Sequence, residues 1–337
     1  MPRQDRMDLI SKIEADFNCK LLIYITGDRR GLETKIAGDV FPIFHKHLMQ
    51  IGVQERIDLY LYSTGGITIA GYALVNLIRE FSNKFNVIIP FKALSCATLI
   101  SIGADQIIMS PMGQLSPIDP SLQHPLGPIV QIPGQPSGQI APVNVEDVNA
   151  FVDLARKEVK LTEESSMRTV FELLASKIHP LALGAVQRSR EQITFLATSL
   201  MRYHCTDETK IENIVSILTR ERFSHDYLIG RREGKNIGLN IIDLQDETLR
   251  TIIALFVEYS KLLELDSPFN PESALGTTAS GQFQFNRCII ESSNFTHFFR
   301  TVKHIERVQV PQPGMPFQAV GYQERILQEG WVEDLTI

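Results

Sequence analysis

The sequence predicts an α/β fold, a layered core in which strands alternate with helices and pair in parallel. Two observations carry this. Short apolar, β-branched runs recur at 20–26, 57–62, 86–91 and 106–109, each bounded by turn residues as buried strands are. Between the second and third runs the spacing becomes helical, with Ile67, Ala70, Leu74, Ile78 and Phe81 on one stripe.

In chain order, Lys20-Leu-Leu-Ile-Tyr-Ile-Thr26 ends in Gly27-Asp28, a strand closed by a turn. A helix follows at about 38–51, then the strand Ile57-Asp-Leu-Tyr-Leu-Tyr62, closed by Ser63-Thr-Gly-Gly66. The third strand, Asn86-Val-Ile-Ile-Pro-Phe91, leads through Ala93-Leu94 to Ser95; a short helix covers 98–104 and Gln106-Ile-Ile-Met109 is the fourth strand. Residues 110–142 hold eight prolines, too many missing N–H donors for regular helix or central strand. A loop of that length in a compact domain carries function or moves. Helices are expected at 145–160, 163–178, 183–203, 207–219 and 246–263, with Glu163-Glu164 and Asp207-Glu208 complementing two helix N-termini. Strand-like runs at Arg300-Thr-Val302 and Val308-Gln-Val310 mark a small β-containing appendage. The expected division is a core over 1–265, with a helical elaboration at 145–219, and a C-terminal unit over 266–337.

At 337 residues the chain can bury the core of one large or two ordinary domains. Its 33 Lys and Arg face 39 Asp and Glu, a net charge of −6, and its basic doublets are too short to neutralise a phosphate backbone. Nucleic acid is therefore not an expected partner. Cys19, Cys96, Cys205 and Cys288 show no C-x-x-C spacing and read as reduced thiols of a cytoplasmic protein. The N-terminal stretch is laced with charges and has no signal-peptide apolar region. The longest charge-free apolar stretch, 93–104, is 12 residues, short of the roughly 18–20 a membrane helix needs, so no membrane span is expected. His45 and His47 face different sides of one helix, and His204-Cys205 lacks a second pair of ligands, so no metal site is expected. Gly234-Lys235-Asn236 is no phosphate-binding loop, and neither ATP nor another cofactor is implied.

Two places carry chemistry when considered together. Ser63-Thr-Gly-Gly66 closes a strand and opens into a helix; adjacent glycines permit close backbone approach, and their N–H groups can face an anion. Ser95 stands at a strand-to-helix junction where its hydroxyl would be exposed and the Cys96 N–H free to donate. A nucleophile at such a turn, flanked by donors from its own next residue and from a second loop, is the layout of acyl transfer.

The motifs in order resemble those of the Clp protease/crotonase superfamily, and within it the serine dehydrogenase proteinase family, relatives of signal peptide peptidase SppA. Ser63-Thr-Gly-Gly66 is similar to the S-P-G-G turn, Ala93-Leu-Ser-Cys-Ala-Thr98 to A-x-S-A-G-T, and Ala104-Asp-Gln-Ile-Ile-Met109 to A-D-x-I-x-M. Leu115-Ser-Pro-Ile-Asp-Pro120 resembles L-G-P-x-D-P, and His225-Asp-Tyr227 an H-D-Y segment. The resemblance implies a Clp/crotonase-like core of ββα units, with Ser95 as nucleophile. It also implies an oxyanion hole formed by backbone N–H groups of Gly65 or Gly66 and of Cys96. Cys96-Ala97 stands where Ala-Gly is usual, and Ser116 where the family has Gly.

A serine hydroxyl needs a base. Clp-type relatives use Ser-His-Asp, which points to His124 in Gln123-His-Pro-Leu-Gly127, while a strict count from Pro111 points to Ile118 or Asp119. Glu221 falls near the third acid. SppA-type relatives use Ser-Lys, for which Lys157 is the candidate, although it lies off the apolar stripe of its helix. Lys92 is expected to point out of its strand. The functional expectation is an ATP-independent intracellular serine peptidase acting through an acyl-enzyme on protein or peptide, assembled as a homo-oligomer. The alternatives are a crotonase-like acyl-CoA enzyme and a catalytically impaired Clp-fold scaffold.

Overall fold

Strand β1 (Lys20–Thr26) is apolar along almost its whole length because both faces are covered: Leu22 and Tyr24 enter one core, Leu21, Ile23 and Ile25 the other. The computed structural model describes residues 3–118, 121–122, 125–130, 139–141, 143–221, 227–311 and 318–335. Strands β2 (Gln54–Tyr62), β3 (Ser82–Ile89) and β5 (Gln106–Met109) are two-sided in the same way, which is why they read as continuous apolar runs. They belong to an eight-stranded sheet of order β12-β5-β3-β2-β1-β13-β14-β15, where β12 is Ile241–Ile242, β13 Ser280–Glu291, β14 Thr296–Pro311 and β15 Gln318–Glu333. From β12 to β1 the strands run parallel; β13, β14 and β15 follow antiparallel.

On one face pack α2 (Phe41–Ile51), α3 (Thr68–Arg79), α4 (Cys96–Ile102), α7 (Pro180–Met201) and α8 (Glu208–Ser216), through Phe44, Leu74, Ile100, Leu196 and Ile211 among others. On the other pack α1 (Arg3–Phe17) and α10 (Asp246–Leu263), through Ile10, Ile13, Ile252, Leu255 and Tyr259. A buried ion pair locks α1 in place: Arg6 Nε and Nη2 donate to the Glu291 carboxylate, at 2.9 and 2.8 Å, and Tyr259 Oη and Thr296 Oγ1 donate to the same group. Among its described residues the stretch 110–142 contributes short strands, among them β7 (Ser121–Leu122), which pairs with β10 (Val143–Asn144), and β8 (Ile129–Val130), which pairs with β9 (Gln139–Ile140). α5 (Val145–Asp153) and α8 each run on into a π-helical turn, at Leu154–Glu158 and Ile217–Glu221. α6 (Glu164–Lys177) meets α7 at 104°, and among the described residues no single helix is long and apolar enough to cross a membrane.

The expected helices are all present within a few residues, and α10 has the expected bounds. α1, α9 (Arg231–Ile237) and α11 (Pro271–Leu275) were not expected, because α1 is laced with charges and the other two are short. β3 begins at Ser82 rather than 86, since its polar first residues pair with Gln54 and Arg56 at the open end of the sheet. Ile67 leaves the expected helical stripe: it is the residue before α3, extended and half exposed. The C-terminal segment is β-rich as expected, and it completes the core sheet: β13 pairs with β1 from Ile23↔Glu291 to Thr26↔Cys288.

Candidate active site

The site lies at the C-terminal ends of the parallel strands. Past β2, Ser63 N–H donates to Lys92 O at 2.9 Å and Leu94 N–H to Ser63 O at 3.0 Å. This bridge lays the residues after β4 (Lys92–Ala93) along the turn 63–66. β4 is itself held by β6 (Gln114–Leu115), and β6 by β11 (Ile229–Gly230).

Ser95 caps α4 with φ 53° and ψ −113°, a conformation that a residue with a Cβ adopts at a cost of about 1–3 kcal/mol. Its N–H donates to Ser116 Oγ at 2.8 Å, and its C=O accepts from Leu99 N–H at 3.0 Å. The sequence led us to expect an exposed hydroxyl; instead the residue is only 8% exposed, because the turn is wedged against Gly65. A Cβ built on Gly65 would stand 2.9 Å from Ser95 Cβ and 3.3 Å from Ser95 Oγ. Only glycine leaves that space.

The two glycines have different duties. Gly65 N–H is already bound, donating at 3.0 Å to Ser63 Oγ, which also accepts from Thr26 Oγ1 at 2.7 Å. Ile36 N–H donates to Gly65 O, and Ile67 N–H to Ile36 O. In such a parallel ladder the peptide groups of Gly66 face the opposite edge. Among the described residues, neither Gly66 N–H nor Cys96 N–H has an acceptor. Of the two glycines singled out from sequence, Gly66 is thus the one with a donor to spare, and Gly65 is the one that makes room.

Cys96 is buried; its thiol donates to Ile67 O at 3.2 Å, and burial pushes its pKa up to about 12. At neutral pH it is a thiol, not a competing nucleophile. Ser116, the second departure from the family pattern, is woven in as well. Its N–H donates to Thr98 Oγ1 at 3.0 Å, its hydroxyl to Pro117 O at 3.0 Å, and Thr98 Oγ1 donates to Ala93 O at 2.8 Å. The sequence named Ser63 within its motif and Ser116 as a departure from a pattern, but assigned neither this supporting role, and it did not single out Thr26.

His124, Asp119 and His225 lie outside the described residues, as does the Glu221 side chain. Ile118 is buried, with its N–H on Leu218 O. Lys157 is well exposed and donates to Asp153 one turn earlier, at 2.8 Å. Lys92 is not simply turned outward: its ammonium donates to Asp28 at 2.7 Å, and Tyr62 Oη donates to the other oxygen of that carboxylate. Among the described residues no three His, Cys, Asp or Glu side chains converge as a metal site.

Residues 48–181 match the family described as ClpP-like SDH-type serine proteinase. Two uncharacterized proteins of Methanocaldococcus jannaschii are 27% and 25% identical, over 203 and 186 residues. The first alignment covers 60% of this chain and 59% of the relative, the second 55% and 51%, so the chain spans little more than half the length of either. Among solved structures, a mutant of ClpP1 from Listeria monocytogenes aligns with TM-score 0.36 and 15% identity, over 73% of this chain and 98% of that one. A mutant of the 1510-N membrane-bound stomatin-specific protease aligns with TM-score 0.32 and 15% identity, over 64% and 79%. The resemblance carried by the motifs is shown by the sequence family: over residues 48–181, a stretch that holds Gly65, Gly66, Ser95 and Ser116, this sequence matches the ClpP-like SDH-type serine proteinases.

Proposed function

We propose that the chain is a serine peptidase that works without ATP or another cofactor, with Ser95 as nucleophile and an acyl-enzyme as intermediate. The observation that supports this reading is the strained turn at Ser95 together with two N–H groups, those of Gly66 and Cys96, that have no acceptor among the described residues. In this reading Ser95 Oγ attacks the scissile carbonyl carbon and its proton passes to the base. The carbonyl electron pair moves onto oxygen, where the two N–H groups stabilise it. Collapse breaks the C–N bond and the base returns its proton to the leaving amine; water then repeats the sequence on the ester.

His124 is the proposed base. Lys157 is less suited: its ammonium stands in solvent beside Asp153, whereas a lysine becomes a base when burial lowers its pKa. The Cys96 and Ser116 departures, which favoured an impaired scaffold, are absorbed into hydrogen bonds that maintain the turn. We further read the protein as a cytoplasmic homo-oligomer. Exposed Phe171, Leu173, Leu181 and Phe195 on α6 and α7 support contacts between copies.

Hydrolysis of an unfolded casein-like protein in the absence of nucleotide tests the reading. Turnover abolished by Ser95→Ala and His124→Ala, and retained in Lys157→Ala, is the expected pattern; turnover persisting in Ser95→Ala refutes it.

A further inference from the structure

The N–H of Ser95 points into a buried network of hydroxyls. Ser116 Oγ sends its own proton to Pro117 O, which leaves a lone pair for Ser95 N–H at 2.8 Å. Ser116 is fixed in turn by Thr98, and both are buried, so water does not compete for these bonds. The peptide plane that follows Ser95 carries the Cys96 N–H, so whatever fixes Ser95 also aims that donor.

We infer that Ser116 is a positioning residue for Ser95: its hydroxyl anchors the Ser95 N–H and thereby keeps the nucleophile and the Cys96 donor in register. The inference rests on the reading of Ser95 as nucleophile and adds a residue that the family pattern does not supply, since a glycine at 116 has no side-chain acceptor. Without that oxygen the Ser95 N–H is buried and unpaired. Rotation of the 94–95 peptide then relieves both the lost bond and the positive φ, and it carries Oγ away from its place against Gly65.

The test is the kinetics of fluorophosphonate labelling, with kinact and KI measured separately. The variants are Ser116→Ala and Ser101→Ala, the latter removing an equally buried hydroxyl of α4 that among the described residues bonds only to Ala97 O. Ser116→Ala is expected to lower kinact by about tenfold or more with KI within about twofold, and Ser101→Ala to leave both within about twofold. A kinact within about twofold of wild type in Ser116→Ala, or an equal fall in Ser101→Ala, overturns the inference. Amide hydrogen exchange over 92–99 reports on the anchor independently of catalysis: Ser95 N–H should exchange at least about tenfold faster in Ser116→Ala. Unchanged exchange overturns the anchor. Absence of labelling in wild type defeats the nucleophile reading instead, and exchange still decides the role of Ser116.

Discussion

Gly71 of α3 gives up its side-chain space to Cys96 of α4: a Cβ on Gly71 would stand 2.5 Å from the Cys96 sulfur and 3.1 Å from Ile100 Cγ1. The cysteine that departs from the family pattern is thus housed by a glycine on the facing helix. Gly71→Ala is expected to destabilise the fold by about 1–3 kcal/mol through overpacking. In a Cys96→Ala background the same change should cost markedly less, because the sulfur is gone. Urea unfolding of the four members of this cycle measures the coupling; additive effects would show that the two side chains do not compete for that space.

Gly66 is expected to tolerate no side chain. A Cβ there would stand 2.2 Å from Ile36 O and 2.5 Å from Ile36 N, both backbone atoms that cannot yield independently. Gly66→Ala should therefore displace the donor and lower the labelling rate by roughly 10²–10³. Circular dichroism and melting would show whether the sheet is kept. A folded Gly66→Ala protein labelled at the wild-type rate would remove Gly66 from the site.

The Arg6–Glu291 pair should be costly to break from one side. Glu291 is fully buried and Arg6 nearly so, with Tyr259 and Thr296 completing the carboxylate's hydrogen bonds. Glu291→Ala or Arg6→Ala is expected to cost about 3–5 kcal/mol, since each leaves a buried charge without its partner. Denaturant titration gives the value, and a loss below about 1 kcal/mol would mean that α1 is not held by this pair.

Acid should loosen the contact between α2 and the C-terminal ribbon. His47 is buried, with Nδ1 2.8 Å from Ser292 Oγ and Nε2 3.0 Å from His297 Nδ1. The charged groups nearby are Lys46, bonded to Glu333, and Glu333, which lies 4.0 Å from His297 Nε2. Burial, then the neighbouring His297 and Lys46, bring the His47 pKa down from 6.5 to about 3. The unfolded chain thus binds the proton more readily than the folded one. Stability from this group is complete above pH 6.5 and is lost as the pH falls toward 3, by up to about 1.4 kcal/mol per pH unit. The melting temperature of wild type should fall more steeply over that window than that of His47→Gln; parallel curves would contradict it.

Much of this arrangement was legible in the sequence. The two-sided strands announced themselves as apolar runs, and the Ser63-Thr-Gly-Gly66 and Ala-Leu-Ser95 motifs pointed to the candidate site because glycine and strand-end serine have local signatures. What was not legible depends on pairs distant in sequence. The burial of Arg6 is explained only by Glu291, and the place of β13 only by its register with β1. Likewise the division of labour between Gly65 and Gly66 depends on Ile36 and Ser63, whose roles no spacing rule conveys. Ser116 read as a departure from a pattern, and only its bond to Ser95 N–H shows what the oxygen does there.

The most direct measurement is to treat the wild-type chain with a fluorophosphonate and map the adduct by peptide mass. The account expects a single stoichiometric phosphonyl group on Ser95, absent in Ser95→Ala. Labelling at another residue, or labelling that survives Ser95→Ala, would contradict it.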